Sequence, residues 1–175
     1  FITNIHPIGA FTLSSKSKDL ADLRDMQRMG AVSFYDYKKP ISNPNILKTA
    51  LLYSQSFDGL IMSFPSNVDI SKNGVINEGI ISTSYGITGI PSLSEELQVS
   101  RDLKILEYSG GKLHIPTISC KNSVDMIRNA KSKGLNISCS VAIHNLVFNE
   151  EKLKDFDTRF KVLPPLRTEL DRKAL

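Results

Sequence analysis

The chain has 175 residues, 22 Lys and Arg against 18 Asp and Glu, and a formal net charge of +4 at pH 7. Its hydrophobic content of 41% and charged content of 23% are those of a globular protein and exclude a disordered or fibrous chain. No apolar run approaches the ~18 residues of a membrane span, and no basic run exceeds the pair Lys38-Lys39, so neither a membrane nor a nucleic-acid partner is expected.

In chain order, "FITNIHPI" (1–8) is a first short β-branched run, without the basic start and long apolar middle of a secretory leader. "SKSKDLADLRDMQRMG" then predicts a helix with Leu20, Leu23 and Met26 on one face and Gly30 as its stop. Strands are predicted over "AVSFYD" (31–36) and "GLIMSF" (59–64), followed by an inserted loop around residues 66–90. "PSLSEELQVSRDLKILEYSGG" reads as a helix that starts at Pro91 with Ser92 as its cap. It carries Leu97, Leu103 and Leu106 and ends at Gly110-Gly111. A strand over "KLHIPTIS" (112–119) leads into the helix "CKNSVDMIRNAKSKG", with Val124, Ile127 and Ala130, and then into the strand "NISCSVAI" (136–143). Cys120 and Cys139 both fall in apolar, strand-like contexts and are expected as reduced core thiols of a cytoplasmic protein; without clustered His they do not form a zinc site of the usual spacing.

The strand runs are nearly continuous in apolar character, as in strands buried on both faces, and they alternate with helices, the signature of parallel βαβ units. Five such strands are too few for a closed eight-stranded barrel, which takes about 250 residues, whereas a doubly wound open sheet needs no more. Spacing alone leaves both architectures open. No Gly-rich phosphate fingerprint follows any strand, so a dinucleotide site has no support.

The stretches "PIGAFT" (7–12), "LADLRDMQRMGAVSFYD" (20–36), "GITGIPSLSEELQVSRDL" (86–103), "LHIPTISCKNSVDMIRNAKSKGLNIS" (113–138) and "KVLPPLRTELDRKAL" (161–175) together resemble the dihydroorotase family of metal-dependent amidohydrolases. The resemblance implies an α/β fold of the (β/α)8 TIM-barrel type. Residues 1–175 would form a single partial barrel domain of about five β/α units, with the barrel ends and small β-domain missing. It places the chain after the family's first metal-binding strand and before the strand with its catalytic Asp. A barrel segment of this kind has two strand edges, to be covered by the remaining staves or by a second copy in a homo-oligomer.

The family's chemistry, as the resemblance implies it, needs His and carboxylate ligands around zinc to lower the pKa of a water, and an Asp to move the proton. A His-x-His pair would lie ahead of Phe1, and His6, His114 and His144, each alone, do not replace it. "YDYKKP" keeps Asp36 where the family has a Ser-Asp-Asp-Gly-like stretch; a metal ligand and a solvated or Lys-paired loop acid are both open readings. Phe64 in "SFPS" and Thr117 in "TISC" stand at the family's His-ligand positions, and neither side chain suits zinc. His114, three residues before Thr117, falls on the opposite side of an extended strand and is expected in a hydrogen-bonded core or helix-facing place. "VAIHNL" retains His144, a weak catalytic candidate or a hydrogen-bonded loop residue. Arg167 in "KVLPPLR" either binds a substrate anion or anchors its loop.

The resemblance thus implies a dihydroorotase-like protein of pyrimidine biosynthesis that holds no cofactor and is catalytically silent. Its role would be that of an assembly partner of the aspartate transcarbamoylase catalytic chain. The alternative is a working zinc-dependent dihydroorotase, or related cyclic amidohydrolase, acting on dihydroorotate or N-carbamoyl-aspartate through Asp36 and His144. A third reading is an inactive barrel that still binds a small ligand in the vacated pocket.

Overall fold

The structure, a computed structural model, describes residues 3–175. In chain order it runs β1 (Ile8–Gly9), α1 (Leu23–Arg28), β2 (Ser33–Phe34), α2 (Pro44–Ser54), β3 (Leu60–Met62), α3 (Val68–Ser71), β4 (Ile76–Asn77), α4 (Ile80–Ser84), β5 (Gly89–Ile90), α5 (Ser92–Ser109), β6 (Lys112–Ile115), α6 (Lys121–Ser132), β7 (Ile137–Cys139), α7 (Ile143–Val147) and α8 (Glu169–Ala174).

Five strands form one sheet in the order β1-β2-β3-β6-β7, and every neighbouring pair is parallel. A doubly wound sheet reverses its strand order at a switch point, where ligands bind. Here the order follows the chain without reversal, as successive staves of a barrel do, and this settles the choice that spacing left open. Ile61, Leu113 and Ile137 stand in register across β3, β6 and β7 and are all buried. They join Val99 and Leu106 of α5 and Ile127 of α6 in the main core, so this sheet face is the one covered by helices. Met62, His114 and Ser138, in register one residue further on, point to the opposite, open face. A smaller cluster of Ile76, Ile81 and Leu153 closes beneath β4 and α4.

Several expectations are corrected. Of the run 1–8, Phe1 and Ile2 lie outside the described residues, and the strand is only Ile8–Gly9. The first helix starts at Leu23, because Ser14, Ser15 and Ser17 all adopt left-handed backbone with φ of 53°, 51° and 54°. Pro91, not Ser92, caps α5, and Leu97 is exposed. Leu103 and Leu106 are buried as expected, and the same face of that helix carries Glu95, Gln98, Val99 and Asp102.

The segment 66–90 is not a loop: it holds α3, β4, α4 and β5, with β4 and β5 pairing as a separate parallel sheet. That pairing depends on close approach. A Cβ on Gly89 would come within 2.4 Å of the Glu78 Cα, and one on Gly74 within 2.5 Å of the Gly89 carbonyl oxygen. α2, which the periodicity did not single out, is set by Asn43, whose side chain accepts from the Asn45 N–H, and by Pro44 in the first turn.

Candidate functional site

Asp36, Phe64, Thr117 and His144 all follow the C-terminal ends of parallel strands (β2, β3, β6 and β7), the edge on which barrel folds carry their chemistry. The fold therefore brings all four to one rim. Among the described residues, however, no three His, Cys, Asp or Glu side chains converge closely enough to hold a metal ion.

Asp36 is neither solvated nor Lys-paired. It is buried, and Oδ1 accepts from the backbone N–H of Phe11 at 2.9 Å and of Thr12 at 3.1 Å, while Oδ2 accepts from the Thr12 hydroxyl. These three donors tie the end of β2 to the segment after β1. Phe64 is 3% exposed, and its phenyl ring offers no lone pair. The neighbouring Ser63 donates to Asp102 at 2.6 Å, and Arg101 grips the same carboxylate with Nε at 2.9 Å. Burial raises the Asp102 pKa above its usual range, against the opposing pull of Arg101, Ser63 and Gln98.

Thr117 adopts φ of +54°, a left-handed backbone that a β-branched residue rarely takes. Its N–H donates to the Ser140 hydroxyl at 3.3 Å. His114 does not face a helix, since the helix side of β6 is taken by Leu113 and Ile115. It lies on the open sheet face, where Nδ1 is 2.8 Å from the Ser138 hydroxyl and Nε2 is 3.3 Å from that of Ser140. Partial burial lowers its pKa.

Beside this rim is a buried polar assembly that periodicity did not reveal. Glu95 on α5 accepts the N–H of Ser119 at 2.9 Å and of Cys120 at 3.0 Å, together with the Ser119 hydroxyl at 2.5 Å. Arg167 donates from Nε to the same hydroxyl at 3.2 Å, and from a terminal nitrogen to Asn77 Oδ1 at 2.7 Å and the Ile90 carbonyl at 2.5 Å. Glu95 and Arg167 are 1% and 4% exposed, so two opposite charges share one serine in the interior. Arg167 is thereby an anchor of its loop, with three partners inside the chain. Cys120 and Cys139 are both free thiols, and burial beside Glu95 pushes the Cys120 pKa far up, leaving it inert as a nucleophile. A signal for the buried polar face of α5 was present in the sequence: Glu95, Gln98 and Asp102 recur at spacings of three and four, the spacing of a single helix face.

His144, in the first turn of α7, lines a cleft with Lys38, Lys161 and apolar residues including Val75, Ile90 and Leu163. Its Nε2 is buried and has no hydrogen-bond partner among the described residues. Burial, and then the nearby Lys38 ammonium, hold its pKa down, so the ring favours the neutral form.

The family model described as dihydro-orotase-like matches residues 2–123 of this chain. A dihydroorotase of Acetivibrio thermocellus is 40% identical over 172 residues, covering 98% of this chain. The chain belongs to the dihydroorotase-like family. A dihydroorotase of Syntrophus aciditrophicus is 38% identical over the same share of the chain. The chain spans 40% of the length of each of these dihydroorotase relatives. Among solved structures, an L-hydantoinase (dihydropyrimidinase) from Arthrobacter aurescens superposes with a TM-score of 0.75 at 17% identity, over 97% of this chain and 38% of that one. A D-hydantoinase follows at a TM-score of 0.74 and 18% identity. At such identities the likeness is one of fold, the amidohydrolase barrel, of which this dihydroorotase-like chain is a part.

Zinc, which the family resemblance implies, does not fit the residues this chain brings to the rim. At the two positions that the resemblance assigns to His ligands stand a phenyl ring and a threonine hydroxyl, and both Asp36 oxygens accept hydrogen bonds from the Phe11–Thr12 segment.

Proposed function

We propose that this chain is the middle of a dihydroorotase-like barrel, a protein of pyrimidine biosynthesis in the cytoplasm, that works without zinc and without catalysing the family reaction. One observation carries the reading. Phe64, buried to 3% exposure at a His-ligand position, puts an apolar wall where a metal donor is required. The scaffold around it is intact: parallel staves, the Asp36 tie between strand ends, and the Glu95–Ser119–Arg167 assembly. A barrel kept in good order without its metal donors suits a role in assembly. The partner in this reading is the catalytic chain of aspartate transcarbamoylase, with a second copy of the barrel as a further contact.

The test is metal analysis together with an activity assay on the full-length protein. The expected result is zinc well below one equivalent and no cyclisation of N-carbamoyl-aspartate. Stoichiometric zinc accompanied by that activity would overturn the reading and favour a working dihydroorotase. Co-purification with the aspartate transcarbamoylase chain at a fixed ratio is the result expected of the assembly role, and elution as separate species would remove it.

A further inference from the structure

The outer face of the helix layer carries a groove that the barrel leaves open. α5 packs against α2 on one side and α6 on the other, so the α2–α5 groove lies in the middle of this layer. Staves that complete a barrel beyond β1 and β7 add helices at the two ends of the layer and do not cover its middle. The groove measures about 440 Å³, and Pro44, Ile105 and Tyr108 form its apolar part. Tyr108 is 80% exposed, and Leu52, one turn beyond Lys48 on α2, is 49% exposed. Leu97, one turn before Arg101 on α5, is exposed as well. Three cations, Lys48, Arg101 and Lys104, line the same groove, and no carboxylate does. Lys48 enters no ion pair among the described residues. Lys104 meets Glu107 at 3.1 Å in an exposed pair of the kind that contributes little. Arg101 is held in place by Asp102 and by the carbonyls of Ser42 at 3.2 Å and Ile41 at 2.6 Å.

We propose that the α2–α5 groove docks an acidic amphipathic helix of a partner protein. A groove between two helices accepts the ridge of a third, whose apolar side chains recur at spacings of three and four. From Leu97 to Tyr108 helix α5 rises about 16 Å, room for three turns of a docked helix. The partner's apolar side chains rest on Pro44, Ile105 and Tyr108, and its Asp and Glu side chains meet Lys48, Arg101 and Lys104. Cations alone would suit any anion; the apolar surface between them selects a partner that brings hydrocarbon as well as negative charge. The chain's formal net charge of +4 favours encounter with such a partner. The groove lies on the outer helix layer, away from the rim of strand ends, so the inference goes beyond the reading above and holds whether or not the barrel carries zinc.

The probe is a fluorescein-labelled synthetic helix with a leucine stripe flanked by glutamates, titrated with the full-length protein and followed by fluorescence anisotropy. Two control peptides replace every glutamate by lysine, or every leucine by serine. The expected result is saturable binding of the glutamate–leucine peptide that weakens as salt is raised, with both controls at least about tenfold weaker. The double variant Lys48→Glu with Lys104→Glu turns two attractions into repulsions and should weaken the peptide by about tenfold. Tyr108→Ser, at an exposed position that the core does not need, should weaken it by a similar factor through the lost apolar contact. Equal binding of the lysine peptide overturns the proposal, as does indifference to both the double charge reversal and Tyr108→Ser. Absence of binding up to about 1 mM peptide overturns it as well. Displacement of the peptide by a single-stranded RNA at equal concentration would assign the cations to nucleic acid and overturn the protein partner.

Discussion

Thr117 shows how much one residue can reveal about the rim it stands on. A β-branched side chain at φ of +54° costs on the order of 1–2 kcal/mol, and nothing in its single backbone hydrogen bond to Ser140 offsets that. Thr117→Asn should therefore stabilise the protein by about 1 kcal/mol, read as a higher denaturation midpoint at unchanged slope. No gain would mean that the backbone relaxes around threonine. Asp102 poses the opposite problem, a carboxylate whose burial raises its pKa above the ordinary 3.8 despite its partners. The folded state then binds that proton more readily than the unfolded chain does. Its contribution to stability is full below pH 3.8 and is lost as pH rises through the raised folded value. The Tm of Asp102→Asn relative to the parent should accordingly rise as the pH climbs above 3.8, and a flat or falling difference would contradict the assignment.

At the scale of elements, the small β4–β5 sheet and the C-terminal segment are fixed by one buried side chain. Arg167 reaches Asn77 in β4, the Ile90 carbonyl in β5 and Ser119 before α6. Arg167→Met keeps the bulk but strands Glu95 in the interior without its counter-charge, and should cost about 3–5 kcal/mol by chemical denaturation. A loss below about 1 kcal/mol would show that Glu95 is neutralised in another way. Gly89→Ala tests the close approach between the same two strands. A Cβ there meets the Glu78 backbone nitrogen at 2.8 Å, so the strands must part. The expected loss is about 1–3 kcal/mol, accompanied by faster amide exchange in residues 74–90 than elsewhere.

For the whole molecule, the decisive feature is the open side of the sheet. Among the described residues β1 and β7 are edges with one neighbour each, and the face bearing Met62, His114 and Ser138 is the one turned away from the main core. Exposed edges of parallel strands invite pairing with another chain. Residues 1–175 produced alone should therefore self-associate, giving light-scattering masses above 19.4 kDa that rise with concentration. A compact monomer at that mass would contradict the barrel-segment reading.

Much of this was legible in the sequence because it depends on local pattern. Continuous apolar runs gave the staves, Gly134 and Gly110 the helix stops, and the residue types at 64 and 117 the unsuitability of those positions for zinc. Long-range pairing decided what local pattern left open. Strand order chose a barrel over a doubly wound sheet. Asp36, open as a ligand or a loop acid, became a tie through donors 24 and 25 residues away. Arg167 became an anchor through partners as distant as 90 residues in the chain. Residue types and their periodicity are written along the chain, and from them the sequence by itself determined the βαβ staves and the unsuitability of Phe64 and Thr117 for metal. Which polar groups are left without partners, as His144 Nε2 is, depends on what packs against them, and only the tertiary structure decided that.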